Sequence, residues 1–594
     1  MSDLGDFANF DPGDDEDDAP ADDETDDGEF RRPALDDPPR DVGVGTLAVS
    51  EGLSVHEDER ETRLRMYVTA GNRSAVRLGT YLVAPYPDGE RLFCRIEGLE
   101  YVQAYENDDA TEIHARRAMA ADDFDERDYK FIASLSPVAV VYADGEELKR
   151  RMPDRVPKPE TVVRQAADRD EIRTGLNLPA DGVFVGHLSV GGQKVRTAAD
   201  PPTIDYRLRD EYGGGDPLVF RHVLVAGGTG SGKTHAAKNV IRQLLGRTYE
   251  MDRGSREPEA AVVQFDPQDE YAQMHDDNPA VTDADRRRWE RQGVAHGGHE
   301  DTVAFVPKVG GATYASADHR AEQVEFTLPF SLVRQNPWLV AGSGLNENQY
   351  PALVGELLPR FFDAHGEDGT YDAFLRFVDD PALREELHEA GRVHEATYDA
   401  LTRRVRGFGH VFDRDARPVT ELVHEFVRPG GLTVVPTYHL NDSRATTTVV
   451  LALASLLIDQ KLSNDPDHER IKETPLVLGM DEAHNFLTDA DSVQARKVIG
   501  KFTEAAKQGR KERLGLFLVT QDPQDVADPV FKQVNTKVVL NLGDEDAIRS
   551  VNIPPDLEGK VPYMERGQMV VYSPDNSEPV EVTGLSKCVT RHGR

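Results

Sequence analysis

The 594-residue chain has little cysteine and no long apolar run. Cys94 and Cys588 lie far apart and in no metal-ligand spacing, so the sequence predicts neither a disulfide framework nor a zinc site. The longest apolar run, 449–458, is about half as long as a membrane-spanning helix needs to be. The N-terminus is acidic, the reverse of a signal peptide. We therefore expect a cytoplasmic protein with no membrane partner.

Positive charge is also scarce. Lysine and arginine total 69 against 107 acidic residues, and the net charge is −38. Residues 1–40 contribute −13 of this, which leaves −25 on the rest of the chain. Self-repulsion of that size destabilises a compact state unless salt screens it. The composition favours a cytosolic protein of a halophile, and the alternative is an ordinary acidic protein with a solvated tail.

The composition and the hydrophobic pattern of the sequence change several times along the chain. An acidic stretch with few apolar residues is predicted to be disordered. Short alternating runs then predict a small β-barrel or sandwich. Later apolar runs predict a parallel sheet buried on both faces, interrupted by a long, mainly helical insertion. The predicted divisions are an acidic tail (1–40), a β-rich barrel and linker (41–206), a parallel-sheet core in two parts (207–275 and 431–582), a helical insertion (276–430) and a C-terminal tail (583–594).

One loop carries a specific phosphate-binding motif. Residues 227–234 read GGTGSGKT and match G-x-x-x-x-G-K-[ST] between an apolar strand and a helical pattern. Glycines let backbone N–H groups turn towards a phosphate, Lys233 supplies charge to the β- and γ-phosphates, and the Thr234 hydroxyl is a Mg²⁺ ligand. The predicted nucleotide-binding residues are Gly227, Gly228, Thr229, Gly230, Ser231, Gly232, Lys233 and Thr234. The alternative is a glycine-rich turn that binds nothing.

A second motif ends a later apolar strand. In PLVLGMDEAHNFL (475–487), Asp481 is expected to hold Mg²⁺ through water, and Glu482 to polarise the water that attacks the γ-phosphate. The alternative is an acidic turn or a helix cap. Beside a complete phosphate loop, the presence of Glu482 predicts hydrolysis of the triphosphate rather than simple sensing.

Two more residues are candidates for the reaction. Gln521 follows the strand 514–520, and it would lie beside the γ-phosphate if that strand sits between the two motif strands; a loop-initiating glutamine is the alternative. Arg510 precedes the same strand in a Gly-Arg-Lys turn and is predicted to act on a neighbouring subunit's nucleotide. A solvated cationic helix end is its alternative, and Lys511 or Arg513 are the next candidates for the role.

Several motifs in order resemble the HerA branch of the HerA–FtsK ATPases. They are GGTGSGKT, DPQDEY (266–271), MDEAHNF, the QGRK turn, and VTQDP followed by KQVNTKVVLNL. The β-rich N-terminal region resembles the family's HAS-like barrel, and 567–582 resembles its closing strands. The resemblance covers most of 41–582, whereas the residues after Val582 show no counterpart to the family's basic end.

The resemblance implies a RecA-like P-loop NTPase core that uses ATP and Mg²⁺. It also implies a homohexameric ring, here haloarchaeal, that threads double-stranded DNA and works with a NurA-type nuclease in DNA end resection. Loops near the insertion and after residue 523, and more weakly the arginine clusters 286–288 and 403–406, are candidate DNA contacts. Two other functions stay open: a nucleotide-gated assembly or defence-complex ATPase, and a conjugation- or packaging-type DNA pump.

Overall fold

The computed structural model describes most of the chain outside the acidic N-terminal stretch. The described residues are 43–48, 52–56, 62–74, 76–103, 129–210, 216–251, 257–315, 319–342, 349–488 and 492–593. The predicted disordered tail, 1–40, lies outside them.

The strands form two separate sheets. In chain order they are β1 Gly45–Leu47, β2 Arg65–Val68, β3 Tyr81–Pro85, β4 Arg91–Gln103, β5 Tyr129–Asp144, β6 Glu147–Arg151, β7 Val162–Gln165, β8 Val183–Val190, β9 Gln193–Lys194, β10 Asp205–Leu208, β11 Val223–Ala226, β12 Ala261–Asp266, β13 Thr302–Pro307, β14 Glu322–Thr327, β15 Arg417–Pro418, β16 Leu432–Pro436, β17 Leu476–Met480, β18 Leu514–Thr520, β19 Thr536–Val539, β20 Gln568–Tyr572 and β21 Val580–Thr583.

Helices of eight residues or more lie mostly between the strands of the second sheet. They are α1 Arg169–Leu176, α2 Lys233–Leu244, α3 Asp283–Arg291, α4 Leu358–His365, α5 Tyr371–Val378, α6 Pro381–Glu389, α7 Glu395–Val405, α8 Ser443–Leu462 and α9 Val493–Gln508. Shorter α-helices are Leu332–Gln335, Tyr350–Ala352, Val419–Leu422, Glu469–Glu473, Asp528–Phe531, Glu545–Ser550 and Pro555–Glu558.

The N-terminal sheet is a closed antiparallel barrel. Its strands pair in the order β2-β1-β7-β3-β4-β5, and β5 pairs back to β2. Side chains alternate as a barrel requires: Met66 and Val68 are buried while Tyr67 between them is 36% exposed. Register shifts within β4, one of them between Ile96 and Gly98, bend this long strand around the barrel. The predicted small barrel is therefore confirmed.

The central sheet holds the phosphate-loop strand in its middle. The order β19-β11-β18-β17-β12-β16-β13-β14-β15 is parallel throughout, and β20, β21, β8 and β10 extend the other side antiparallel. The consecutive β11 residues Leu224 and Val225 are buried in hydrophobic cores on opposite faces of the sheet. The predicted α/β P-loop fold is confirmed, including the position of β18 between β11 and β17.

Two pairs of strands belong to the central sheet, although the divisions predicted from the sequence assign them to other parts of the chain. β8 and β10 fall in the predicted barrel region 41–206, yet β8 pairs with β21 of the ATPase sheet. Likewise, β13 and β14 fall in the predicted insertion 276–430, yet they extend the sheet beyond β16. Apart from α3, the helices of that segment follow β14. Local patterns identify strands but do not indicate the sheet in which a strand pairs.

The last described residues pack against helix α2. Val589 donates its backbone N–H to Asn239 Oδ1 at 3.0 Å, and Lys238 Nζ donates to the carbonyl oxygens of Arg591 and Glu270, each at 2.7 Å. Leu585 and Val589 also belong to a small hydrophobic cluster around Trp289. The predicted C-terminal tail is therefore an ordered strap along its described length, 583–593.

Among the residues that the structure describes, one helix is long and apolar enough, by length and composition alone, to cross a membrane. This is α8, whose most apolar window is 67% buried inside the protein. Its burial between other elements is that of a core helix.

Candidate nucleotide-binding and hydrolysis site

The phosphate loop joins β11 to α2 and is hydrogen-bonded to the residues that end or follow the flanking strands β18 and β19. Gly227 N–H donates to Thr520 O at 3.2 Å, and Gly228 N–H donates to Asn541 O at 2.6 Å. A Cβ on Gly227 would lie 2.6 Å from Ser231 Oγ and 2.9 Å from Leu540 Cβ, so only glycine fits there. Gly230 and Gly232 adopt φ values of +80° and +99°, which favour glycine. The loop is thus shaped by its glycines, as a phosphate cradle requires.

Lys233 lies folded into this loop. Its Nζ donates to Gly228 O at 3.2 Å, and the side chain is buried. Burial lowers the pKa of Lys233, while the nearby carboxylates of Glu482 and Asp481 oppose that shift. Thr234, the next residue, begins the helix with Lys233 and is half-buried. An ammonium group that the loop's own carbonyl satisfies only weakly is suited to bind phosphate oxygens.

Two hydroxyl groups of the loop differ in their hydrogen bonding within the described residues. Ser231 Oγ is buried and makes no hydrogen bond. The Thr229 hydroxyl donates to Gln521 Oε1 at 3.0 Å. Gln521 therefore lies beside the phosphate loop, where the sequence placed it.

The two acidic motif residues follow β17, two strands away. Asp481 is 2% exposed, and Glu482 has a left-handed backbone with φ of +50°. Burial raises the pKa of Asp481 to about 7, and the neighbouring carboxylates of Asp266 and Glu482 contribute to the rise. Glu482 Oε2 is buried, accepts no hydrogen bond from the residues that the structure describes, and lies 3.6 Å from His484 Nδ1. This oxygen is free to accept a proton from water.

A third acidic segment, DPQDEY, adjoins this pair. Asp266 accepts the backbone N–H groups of Gln268, Glu270 and Tyr271, and its burial raises its pKa to about 6. Asp266 and Glu270 both raise the pKa of Asp481. The sequence analysis quoted this motif without assigning it a role; its signal was an acidic run directly after a buried strand.

These carboxylates fit a divalent cation. Asp266, Glu270 and Glu482 raise the pKa of Asp481, and the carboxylates of Glu482, Asp481 and Glu270 also oppose the lowering of the pKa of Lys233. In the part of the chain that the structure describes, no three His, Cys, Asp or Glu side chains form a metal-binding group. Mg²⁺ usually takes one or two protein ligands plus water and phosphate oxygens. Thr234 and Asp481 are the residues that would hold Mg²⁺, which neutralises phosphate charge when bound.

Arg510 lies far from this cluster. It precedes β18, whereas Gln521 follows that strand, so seven residues of β18 and about 20 Å separate Arg510 from its own phosphate loop. The guanidinium is 56% exposed and forms an ion pair with Asp216. Of the predicted catalytic residues, the structure brings together Glu482 and Gln521 but not Arg510.

Comparison with known proteins agrees with this geometry. A family profile described as "Helicase HerA, central domain" matches residues 214–457, the segment that contains the phosphate loop and the DPQDEY motif. This part of the chain is a HerA-type ATPase domain. The expected resemblance is confirmed, and the chain is a P-loop ATPase that uses ATP and Mg²⁺.

Relatives of the HerA-type domain extend over more of the chain. A protein of Methanocaldococcus jannaschii named a probable helicase is 22% identical over 552 residues, which is 89% of this chain and 93% of that protein. A second protein of that organism, named a probable DNA double-strand break repair helicase HerA, is 23% identical and covers 70% of this chain and 76% of its own length.

Solved structures with a similar arrangement include VirB4 of Thermoanaerobacter pseudethanolicus. It is 14% identical, with a TM-score of 0.42, and covers 69% of this chain and 98% of its own. The bacterial conjugative coupling protein TrwB is also 14% identical, with a TM-score of 0.43, and covers 69% and 90%.

Proposed function

We propose that this ATPase moves double-stranded DNA and hydrolyses ATP between neighbouring copies of the chain in a homohexameric ring. The observation that carries the proposal is the separation of Arg510 from Glu482 across the sheet. Each chain carries Glu482 at the carboxyl ends of the parallel strands and Arg510 at their amino ends, so the two residues cannot act on the same nucleotide within one chain. Head-to-tail assembly brings the two edges together, and closed rings are the usual outcome of such heterologous contacts.

The names of the relatives support DNA as the substrate. Four of them are named as probable or established DNA double-strand break repair helicases, including one of Pyrococcus furiosus that is 28% identical over 102 residues, or 16% of this chain and 18% of that protein. A net charge of −38 opposes contact with phosphates, but a ring needs cations only in its channel. Of the two arginine clusters, Arg286, Arg288 and Arg406 are ion-paired with aspartates.

Within this proposal, Lys233 binds the β- and γ-phosphates, and Glu482 accepts the proton of the attacking water. Gln521 senses the γ-phosphate beside Thr229, and Arg510 of the adjacent copy stabilises the charge that develops there. A NurA-type nuclease is the proposed partner in DNA end resection. The contribution of that partner would be nucleolytic, because this chain is proposed to supply only movement.

The decisive experiment is the ATPase rate of the full chain with and without linear duplex DNA in molar KCl. A translocase is expected to hydrolyse ATP several-fold faster with DNA. An unchanged rate in a confirmed hexamer would favour the nucleotide-gated assembly ATPase. Glu482→Gln serves as the control, because any rate that survives this change does not come from the site described.

A further inference from the structure

Tyr563 is unusually exposed for a large aromatic side chain. The residue is 85% exposed and lies in the turn Val561–Tyr563, shortly before β20. A ring this exposed is accessible to a bound ligand, on which an aromatic face can stack.

The loop that carries Tyr563 is fixed to the phosphate loop. Gly567 N–H donates to Ser231 O at 3.1 Å. Asn541, whose carbonyl accepts the N–H of Gly228, donates its side-chain amide to the carbonyls of Pro562 at 3.0 Å and Met564 at 2.8 Å. These two carbonyls flank Tyr563 in the chain. The backbone at Tyr563 is therefore held at a defined position relative to the phosphate loop.

Arg566 adds a cation at the same place. Its Cγ lies 3.6 Å from where a Cβ on Gly232 would be, next to the first residue of α2. Arg566 is exposed and forms no ion pair with any residue the structure describes. An arginine without a carboxylate partner beside a phosphate loop is suited to an anionic ligand.

The position of this loop decides which part of the nucleotide it can meet. The groups for the terminal phosphate, Asp481, Glu482 and Gln521, follow β17 and β18 on one side of the phosphate loop. Asn541 and the 560–567 loop lie on the other side, next to β19 and β20. A nucleotide whose γ-phosphate faces the acidic cluster must extend its ribose and base away from that cluster, towards Tyr563.

A cavity adjoins the same loop. It has a volume of about 520 Å³ and is lined by Tyr563, Met564 and Gln568, together with the barrel side chains Leu78 and Leu99. Cavities of a few hundred cubic ångströms with mostly apolar walls are typical of small-ligand sites.

We propose that Tyr563 and Arg566 form the base end of the nucleotide site, where the Tyr563 ring stacks on the purine and Arg566 pairs with the α-phosphate. The inference rests on the ATP site described above and is independent of DNA and of ring assembly. Stacking of a base on an aromatic side chain, removed by alanine, changes affinity by roughly 5- to 100-fold.

The test compares two ligands that differ only in whether they carry a nucleoside. Calorimetric titration of the full chain with ADP and with inorganic tripolyphosphate, both with Mg²⁺, gives the two dissociation constants. Tyr563→Ala is expected to weaken ADP binding roughly 10-fold or more and to leave tripolyphosphate unchanged. Tyr563→Phe should bind ADP as the wild type does, because the ring is kept. In turnover, Tyr563→Ala should raise KM for ATP with kcat unchanged.

Matched variants complete the design. Tyr101→Ala removes another exposed tyrosine, on barrel strand β4, and should alter neither constant. Arg566→Ala should weaken both ligands, since both present phosphate. Tyr563→Ala with unchanged ADP affinity, or with equal losses for both ligands, overturns the proposal. Failure of the wild type to bind either ligand would instead reject the ATP site itself.

Discussion

Arg510 and Asp216 form an ion pair at the edge of the central sheet opposite the phosphate loop. The same carboxylate accepts a hydrogen bond from Arg513 at 3.0 Å, and Arg513 is only 5% exposed. One arginine is thus a buried structural partner of Asp216, while the other projects from the surface.

This difference predicts unequal effects on stability. Arg510→Ala should change the free energy of unfolding by less than about 0.5 kcal/mol, as is usual for exposed sites. Asp216→Ala should cost roughly 1–3 kcal/mol, because it leaves the buried Arg513 without its carboxylate. Thermal unfolding of both variants in the same buffer measures this. Equal melting temperatures would show that Asp216 does not hold Arg513.

The phosphate-loop and acidic residues should separate binding from hydrolysis. Lys233→Ala is expected to abolish ATP turnover by removing the fixed countercharge of the β- and γ-phosphates. Glu482→Gln should still bind ATP but hold it unhydrolysed, because only activation of the water is lost. Filter binding and phosphate release distinguish the two. A Glu482→Gln variant that turns over at the wild-type rate would remove Glu482 from the reaction.

Arg510 should act only across a subunit boundary. Arg510→Ala is expected to bind nucleotide normally and hydrolyse it at least 10-fold more slowly, since its charge is needed in the transition state. Mixing this variant with Lys233→Ala should restore part of the rate, because some junctions then combine an intact Arg510 with an intact Lys233. Unchanged hydrolysis by Arg510→Ala in a confirmed hexamer would point to Lys511 instead, because Arg513, the other candidate from the sequence, is buried.

Buried Lys461 predicts a pH dependence of stability. Its Nζ donates to the carbonyl of Lys472 at 2.8 Å and also to that of Thr474, and burial lowers its pKa to about 7. The charges of Lys472 and Arg513 lower this pKa further, and Glu512 opposes them. The unfolded chain then binds more protons than the folded one between pH 7 and about 10.5, so stability should rise with pH across that window.

The matched variant is Lys461→Met, which keeps the length of the side chain and loses its titration. Over pH 7 to 10, the wild type should gain up to about 1.4 kcal/mol per pH unit relative to Lys461→Met. Chemical unfolding of both proteins at several pH values gives the two slopes. Parallel slopes would mean that Lys461 titrates normally.

Salt should stabilise the chain if its acidic surface reflects a halophilic origin. Because the net charge outside the first forty residues is −25, the melting temperature is expected to rise between about 0.1 M and multimolar KCl.

Removing residues 1–40 should leave the melting temperature and basal ATPase unchanged, because that segment has too few apolar residues to join a core. For the full chain, equal melting temperatures at low and at multimolar KCl would contradict the halophile hypothesis.

Sequence patterns identified the parts of this site that are local and missed those that are not. The phosphate loop and the strand ending in Asp481 each lie within about a dozen residues, and their chemistry is readable from spacing alone. The position of β18 between the two motif strands could be anticipated from the strand order of RecA-like folds. By contrast, the approach of Arg566 to Gly232 depends on a turn more than 300 residues further along the chain, whose position only the folded sheet defines. The pairing of β8 with β21 is non-local in the same way.

That pairing has a consequence for how the chain folds. The barrel closes with residues from 45 to 165, whereas the antiparallel side of the central sheet joins Gly191 to Glu581 across 390 residues. Contacts so distant in sequence form slowly, because a long loop must close before they contribute any stability. The barrel is therefore expected to acquire protection from hydrogen exchange early in refolding, and the strands flanking the phosphate loop late. Until then β20 and β21 expose unpaired apolar edges, and this interval is when the chain is most prone to aggregate.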